Sequence, residues 1–343
     1  MPCNLRFSNG SSTGIGSLPH LDPAAACDDV LACYPEFPYI PTLPNRGLKE
    51  QIIWNDAEFL PGKVVDGDRL FVDRKTDFSP AMEQVYLDYV EGAFGRYAAS
   101  PDHASAFHVM TAKSLPEAKV LKCQVNGPVT MGMQVVDDGR RPVGYDAQYA
   151  DMLAKMIALR ARWYEDAMQK TGIPETLVVF NEPYLAALGS SVMAMDREQV
   201  RAGWEDATSL LTGAAGIHCC SNTDWGFLMS LVPAVISFDA YANAREFLLY
   251  KDQLASYLER GGVVAWGIVP AEWSLFAGET VDSLYERYRA IQRELDEILP
   301  PGLFMSRSLV TPSCGIRTTD APGSVRIMAA AREISRRARV DAP

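Results

Sequence analysis

The chain contains no run of about 18 apolar residues, and its first ten residues, Met-Pro-Cys-Asn-Leu-Arg-Phe-Ser-Asn-Gly, lack the apolar stretch of a secretory signal. Neither a membrane span nor export by that route is expected, and the protein is read as cytoplasmic. Positive charge is also in short supply. Lys and Arg total 32 against 43 Asp and Glu, a net charge of −11, which argues against a broad phosphate-binding surface and hence against nucleic acid as a partner. Seven cysteines in 343 residues are too few for a disulfide framework, and an odd number cannot pair completely, so a reducing compartment is expected. There is no low-complexity linker, no convincing internal repeat and no complete G-x-G-x-x-G after the first strand candidate; Gly14-Ile15-Gly16-Ser17 only begins one.

What is present is a large apolar fraction, 48% of residues, with 22% charged, the balance of a chain that buries a sizeable core. Short apolar runs ending in Gly, Pro, Asn or Asp alternate with longer stretches of helical periodicity. The strand candidates are Thr13–Leu18, Tyr39–Leu43, Val120–Val125, Thr176–Phe180, Ala215–Cys220, Val235–Asp239, Val263–Ile268 and Leu303–Val310. Helix candidates are Pro23–Cys33, Pro80–Tyr97, Ala147–Thr171, Glu198–Leu211, Ala244–Arg260, Val281–Leu299 and Gly323–Ala338. Eight strands with intervening helices predict an α/β fold, a single (β/α)8 TIM barrel spanning residues 1–343, whose chemistry belongs at the C-terminal strand ends.

The fifth candidate strand ends in His218-Cys219-Cys220. Side chains alternate on a strand, so His218 and Cys220 share a face, about 6 to 7 Å apart, while Cys219 faces the other way. An imidazole and a thiolate so placed suit zinc, although a buried cysteine beside a hydrogen-bonded histidine accounts for the same pattern. The eighth candidate strand leads to Cys314, at the same rim, and the sixth ends in Asp239, which serves either as a further ligand or as a helix or loop cap. His218, Cys220, Cys314 and Asp239 thus form a candidate ligand set with one exchangeable position.

Taken in order, Ile15-Gly16-Ser17-Leu18-Pro19, Gly127-Pro128-Val129-Thr130, Asn181-Glu182-Pro183, His218-x-Cys220 and Cys314-Gly315-Ile316 resemble the superfamily of cobalamin-independent methionine synthase and uroporphyrinogen decarboxylase. The resemblance is to its short, single-barrel zinc thiol methyltransferases and spans nearly all the chain. It implies a Zn2+ site at His218, Cys220, Cys314 and Asp239, and contact of Ser17 with an amino-acid substrate. His218-x-Cys220-Ser221-Asn222-Thr223 also looks like the corresponding stretch of corrinoid-dependent thiol methyltransferases. The implied reaction methylates a thiol, homocysteine foremost, from methylcobalamin or a methylated corrinoid protein, since the folate-using relatives carry a second barrel. A uroporphyrinogen decarboxylase-like lyase and a non-catalytic zinc-binding barrel are the alternatives.

One departure from the family concerns substrate recognition. Its methionine synthases read Asp-Glu-Pro where this chain has Asn181-Glu182-Pro183, and that Asp holds the substrate ammonium. Asn181 offers a neutral acceptor instead, which leaves Glu182, or another carboxylate, to compensate; otherwise Glu182 is a rim carboxylate bound to an Arg. The remaining candidates have blander readings. His20 suits a helix start, His103 and His108 surface or packing roles, Cys27 and Cys33 a helix core. Cys3 and Cys123 have no ligand-like spacing, and Arg46 and Arg307 suit ion pairs, or a substrate carboxylate.

Overall fold

A computed structural model describes residues 5–190 and 193–341; Cys3 lies outside them. Nine strands are formed: β1 Lys63–Asp66, β2 Arg69–Val72, β3 Val120–Asn126, β4 Val136–Asp137, β5 Glu175–Asn181, β6 Ala214–Cys219, β7 Val235–Phe238, β8 Val263–Val269 and β9 Ser308–Pro312. Six of them make one curled, wholly parallel sheet in the order β3-β5-β6-β7-β8-β9, with helices along the chain between them. Strands buried on both faces read as continuous apolar runs, which is why β3 and β8, buried at every position, stand out in the sequence.

The two faces of the sheet belong to different apolar clusters. Val120, Leu177, Val179, Ala214, Val235, Val263, Ala265 and Leu309 gather on the concave side with Leu5 and Phe37. The alternate residues, among them Val178, Phe180, Ile217, Ile236, Val264 and Val310, pack in the much larger cluster that includes the helices. The concave cluster holds only the early inward positions of each strand. Two residues at a time toward the C-terminal ends, the same face changes to Lys122, Gln124 and Asn126 on β3, Asn181 on β5, His218 on β6 and Ser237 on β7. Polar groups therefore collect at the C-terminal end of the sheet.

Two of the eight expected strands are not ladders. The segments around Thr13–Leu18 and Tyr39–Leu43 make isolated parallel bridges, Ser12 with Val310, Ser17 with Thr42 and Tyr39 with Lys122. Pro38 and Pro41 remove N–H donors from one segment. In the other, a Cβ on Gly14 would lie 2.0 Å from the Tyr39 ring, so the chain passes there only without a side chain. The last expected strand, Leu303–Val310, is in fact a short helix, Leu303–Ser306, followed by β9; Gly302, at φ +77°, turns the chain into it. Ala244–Arg260 divides into Ala240–Leu248 and Lys251–Glu259, whereas Pro23–Cys33 forms as expected. A small second sheet, β1-β2-β4, was not foreseen. No helix among the described residues is long and apolar enough to cross a membrane.

Candidate metal centre and its cavity

Strand register sets the centre of the site. Asn126, Asn181, His218 and Ser237 are successive partners across β3, β5, β6 and β7. His218 is 4% exposed, and its Nδ1 lies 3.0 Å from Ser237 Oγ. Its other ring nitrogen, Nε2, is buried with no partner. Buried imidazole nitrogens are normally satisfied. Here the open one belongs to a trio: one ligand atom each from His218, Cys220 and Cys314, all within 4.8 Å of one another.

Cys314 reaches that trio because two glycines let its loop pass. A Cβ on Gly267 would lie 2.3 Å from the Phe238 carbonyl oxygen and 2.7 Å from Ser313 Cα, and a Cβ on Gly315 3.0 Å from Ser17 N. Backbone bonds from Ser313 N to Val269 O, 2.7 Å, and from Ile316 N to Ser17 O, 2.8 Å, hold the loop on either side of Cys314. The two sulfurs titrate apart: the neighbouring Cys314 and His218 pull the Cys220 thiol down to about 4, while Cys314, beside that sulfur and largely buried, is pushed well above the usual thiol range. Cys219 is fully buried on the opposite face, where burial raises its thiol to about 12.

The donor set fits zinc. Two sulfurs and one imidazole nitrogen are its preferred ligands, and bonds of about 2.0 to 2.3 Å in a tetrahedron put ligand atoms roughly 3 to 4 Å apart. The orphaned Nε2 beside two sulfurs is the feature a dication would complete, by accepting the nitrogen lone pair and binding the sulfurs as thiolates. Three protein ligands leave a fourth position.

Asp239 stands outside the trio. Its Oδ1 accepts from Ala242 N at 2.9 Å, capping the helix Ala240–Leu248, and burial raises its pKa. It nonetheless lines the same cavity, of about 470 Å³, as Ser17, Asn181, His218, Cys220 and Cys314. Glu182 does not. Its carboxylate, 3% exposed, accepts from Val129 N at 3.0 Å, Thr130 N at 2.7 Å and Thr130 Oγ1 at 2.7 Å, at the start of the helix Pro128–Gln134. A Cβ on Gly127 would lie 2.1 Å from Glu182 Oε1, so Gly127-Pro128-Val129-Thr130 and Glu182 are two halves of one junction. Burial outweighs the three bonds and raises this carboxyl to about 7. Among the described residues no Arg is bonded to it.

The sequence reading missed the polar floor. Lys122, 3% exposed, donates to Gln124 Oε1 at 2.8 Å and to Gly14 O at 3.0 Å; Gln124 Nε2 donates to Asn181 Oδ1. The Asn181 oxygen, expected to face substrate, is therefore already bonded. Next to it Asp56 accepts from Arg160 Nε at 3.0 Å and from Asn126 N at 2.7 Å. The signal was there in Lys122, Gln124 and Asn126, three polar residues at period two inside a buried strand. Elsewhere the plainer readings fare unevenly. His108 Nε2 meets Ala99 O at 2.8 Å and Arg46 pairs with Glu50 at 2.7 Å, but His20 Nε2 meets Asp29 at 2.9 Å, within the helix whose start Asp22 caps, and Arg307 Nε is buried without a partner. Cys27, Cys33 and Cys123 are free and buried.

No protein-family description and no curated protein matches the chain. Among solved structures it resembles a B12-independent methionine synthase from Shewanella sp. W3-18-1 in complex with selenomethionine, at 16% identity and TM-score 0.49 over 69% of this chain and 67% of that one. It also resembles a putative vitamin-B12 independent methionine synthase from Listeria monocytogenes, at 12% identity and TM-score 0.57 over 97% of this chain and 99% of the other. At these identities the likeness is one of fold.

Proposed function

We propose that the protein is a zinc-dependent methyltransferase that methylates a thiol, homocysteine foremost, using methylcobalamin or a methylated corrinoid protein as donor, on a (β/α)8 barrel whose first two strands are the bridged segments around Thr13–Leu18 and Tyr39–Leu43. One observation carries the reading: a His–Cys–Cys trio, its histidine buried and its cysteines half-buried, with an orphaned imidazole nitrogen on the wall of a cavity large enough for a small thiol. A closed structural zinc site needs no such cavity. A lyase of the decarboxylase type has no use for the trio.

His218, Cys220 and Cys314 would hold the ion, with Asp239 as the weak fourth group that yields to substrate. Zinc, when bound, supplies Lewis acidity that lowers the pKa of the substrate thiol, which is about 97% protonated at neutral pH when its pKa is about 8.5. The rest is the work of the chain. Ser237 fixes the His218 ring through Nδ1, leaving Nε2 to face the trio. Ser17, pressed against Gly315, and Asn181 orient the tail of the thiol, and the buried strand ends keep water from the reacting sulfur. In the transfer a sulfur–carbon bond forms as the methyl leaves its donor, the bonding pair staying with the donor. Support for a bulky donor comes from a second cleft of about 800 Å³ that shares Ile52, Arg317 and Thr318 with the thiol cavity, and from the His218-to-Thr223 resemblance.

The test is incubation of zinc-loaded protein with homocysteine and either methylcobalamin or methyltetrahydrofolate. Methionine formed from the corrinoid, with little or none from the folate, is the expected outcome. Turnover with folate alone overturns the donor assignment, and full-length protein that binds no zinc overturns the reaction.

A further inference from the structure

We infer that Asn181 offers amide N–H donors to the cavity, with their sense set by Lys122, and that the thiol substrate is therefore recognised by a carboxylate on its tail rather than by an ammonium. The inference rests on the thiol reading above and names the part of the substrate the site selects.

A lysine ammonium has three N–H donors and no acceptor. Lys122 Nζ lies 3.0 Å from Gly14 O, 2.8 Å from the Gln124 amide and 5.5 Å from the centre of the Tyr39 ring. Facing that donor, Gln124 must turn its oxygen to Lys122 and its nitrogen to Asn181. Asn181 must then answer with its oxygen. Burial lowers Lys122 to about 7, yet even the neutral amine has two N–H groups, one for Gly14 O and one for Gln124 Oε1, so the relay keeps its sense in either protonation state. What Asn181 has left for the cavity it lines is Nδ2, which has no hydrogen-bond partner among the described residues.

The surroundings agree in sign. Ser17 Oγ accepts from Thr42 Oγ1 at 3.3 Å, which leaves the Ser17 O–H to donate, and Ser17 lines the same cavity as Asn181. Lys122, whose pKa burial lowers to about 7, stands behind Gln124 and Asn181 and makes that side electropositive while it holds its proton. Three carboxylates line the cavity, Asp56, Asp239 and Glu272. Asp56 is engaged by Arg160 and Asn126, Asp239 caps its helix beside the trio, and Glu272 is exposed. The buried acceptors without partners, Asn55 Oδ1 and Asn126 Oδ1, are neutral: they can receive N–H groups but bring no charge. An ammonium thus gains less here than a carboxylate.

Calorimetric binding to zinc-loaded, full-length protein separates the possibilities with three thiols: homocysteine, 4-mercaptobutanoate, which lacks the ammonium, and 3-mercaptopropylamine, which lacks the carboxylate. The expected order puts 4-mercaptobutanoate within about threefold of homocysteine and the amine at least tenfold weaker, a difference of about 1.4 kcal/mol or more. Asn181→Asp should weaken both carboxylate thiols about tenfold or more and spare the amine, and Lys122→Met should narrow the preference with zinc content unchanged. Tighter homocysteine binding by Asn181→Asp, or an amine that outranks 4-mercaptobutanoate on the parent protein, overturns the assignment even if Lys122→Met fails to fold. Failure of all three thiols to bind overturns the thiol reading itself, and this inference with it.

Discussion

The cavity has two walls built by the same means, inward residues at the ends of parallel strands, and they differ in which polar atoms are left open. On the wall of β6 and the loop after β9, His218 Nε2 has no partner beside the sulfurs of Cys220 and Cys314. On the wall of β3 and β5, Lys122, Gln124 and Asn181 form a relay and Asp56 is held by Arg160 and Asn126, so the charged groups are engaged and neutral amide atoms such as Asn126 Oδ1 stay open. A buried polar atom without a partner costs about 1 to 3 kcal/mol. Such a cost is tolerable where a ligand completes the group, so the first wall reads as a place to bind an ion and the second as a braced frame that offers neutral amides to a substrate tail.

The sharpest way to break that contrast is to remove sulfur from the first wall. Cys220→Ser or Cys314→Ser should lower bound zinc from about one per chain to under about a tenth, because a hydroxyl is a far poorer zinc ligand than a thiolate. Cys219→Ser, on the other face of the strand, should keep its zinc and lose only stability. Elemental analysis of the three variants decides it, and full zinc in both of the first two would remove the metal centre.

A smaller effect is expected one bond further out. Ser237→Ala deletes the partner of His218 Nδ1, and loss of such an orienting contact typically weakens metal binding about 10- to 100-fold. Competition with a chelator measures it; unchanged affinity would mean that the ring is oriented by packing alone.

Glu182 probes the frame through pH. Burial raises its carboxyl to about 7 from the usual 4.5, so the fold binds the proton more tightly than the unfolded chain does. The stability this contributes is complete below pH 4.5 and is lost as pH rises through about 7. Glu182→Gln removes the titration. Relative to the parent, the variant should gain on the order of 1 to 2 kcal/mol between pH 5 and pH 8 in denaturant unfolding, whatever the fixed cost of losing an acceptor at the helix start. A pH-independent difference would place the ionised form in the native state throughout.

The smallest expected effect is at Asp239. Asp239→Ala should weaken zinc binding only a few-fold, less than Cys314→Ser, since a sulfur-rich site depends less on a hard oxygen. Loss of the cap on Ala240–Leu248 should cost about 1 kcal/mol of stability. Equal zinc loss in the two variants would make Asp239 a full ligand.

The α/β class was legible in the sequence, as were five of the ladder strands to within a residue or so, the end of a sixth that begins as the helix Leu303–Ser306, and the alternation that sends His218 and Cys220 one way and Cys219 the other. These depend on local patterns, apolar runs and period two, that a chain carries without its neighbours. The sequence also supplied Cys314 as a partner from a distant strand end. It did not determine that the segments around Thr13–Leu18 and Tyr39–Leu43 would touch their neighbours by single bridges, because glycines and prolines reveal a missing donor or side chain but not which strand lies opposite. Nor did it reveal that Glu182 turns to a helix start, or that the Asn181 oxygen is taken. Those outcomes follow from which side chains meet across strands: Val129 and Thr130 at one carboxylate, Lys122 and Gln124 behind one amide. Hydrogen-bond sense depends on the partner, and only the tertiary structure decides the partner.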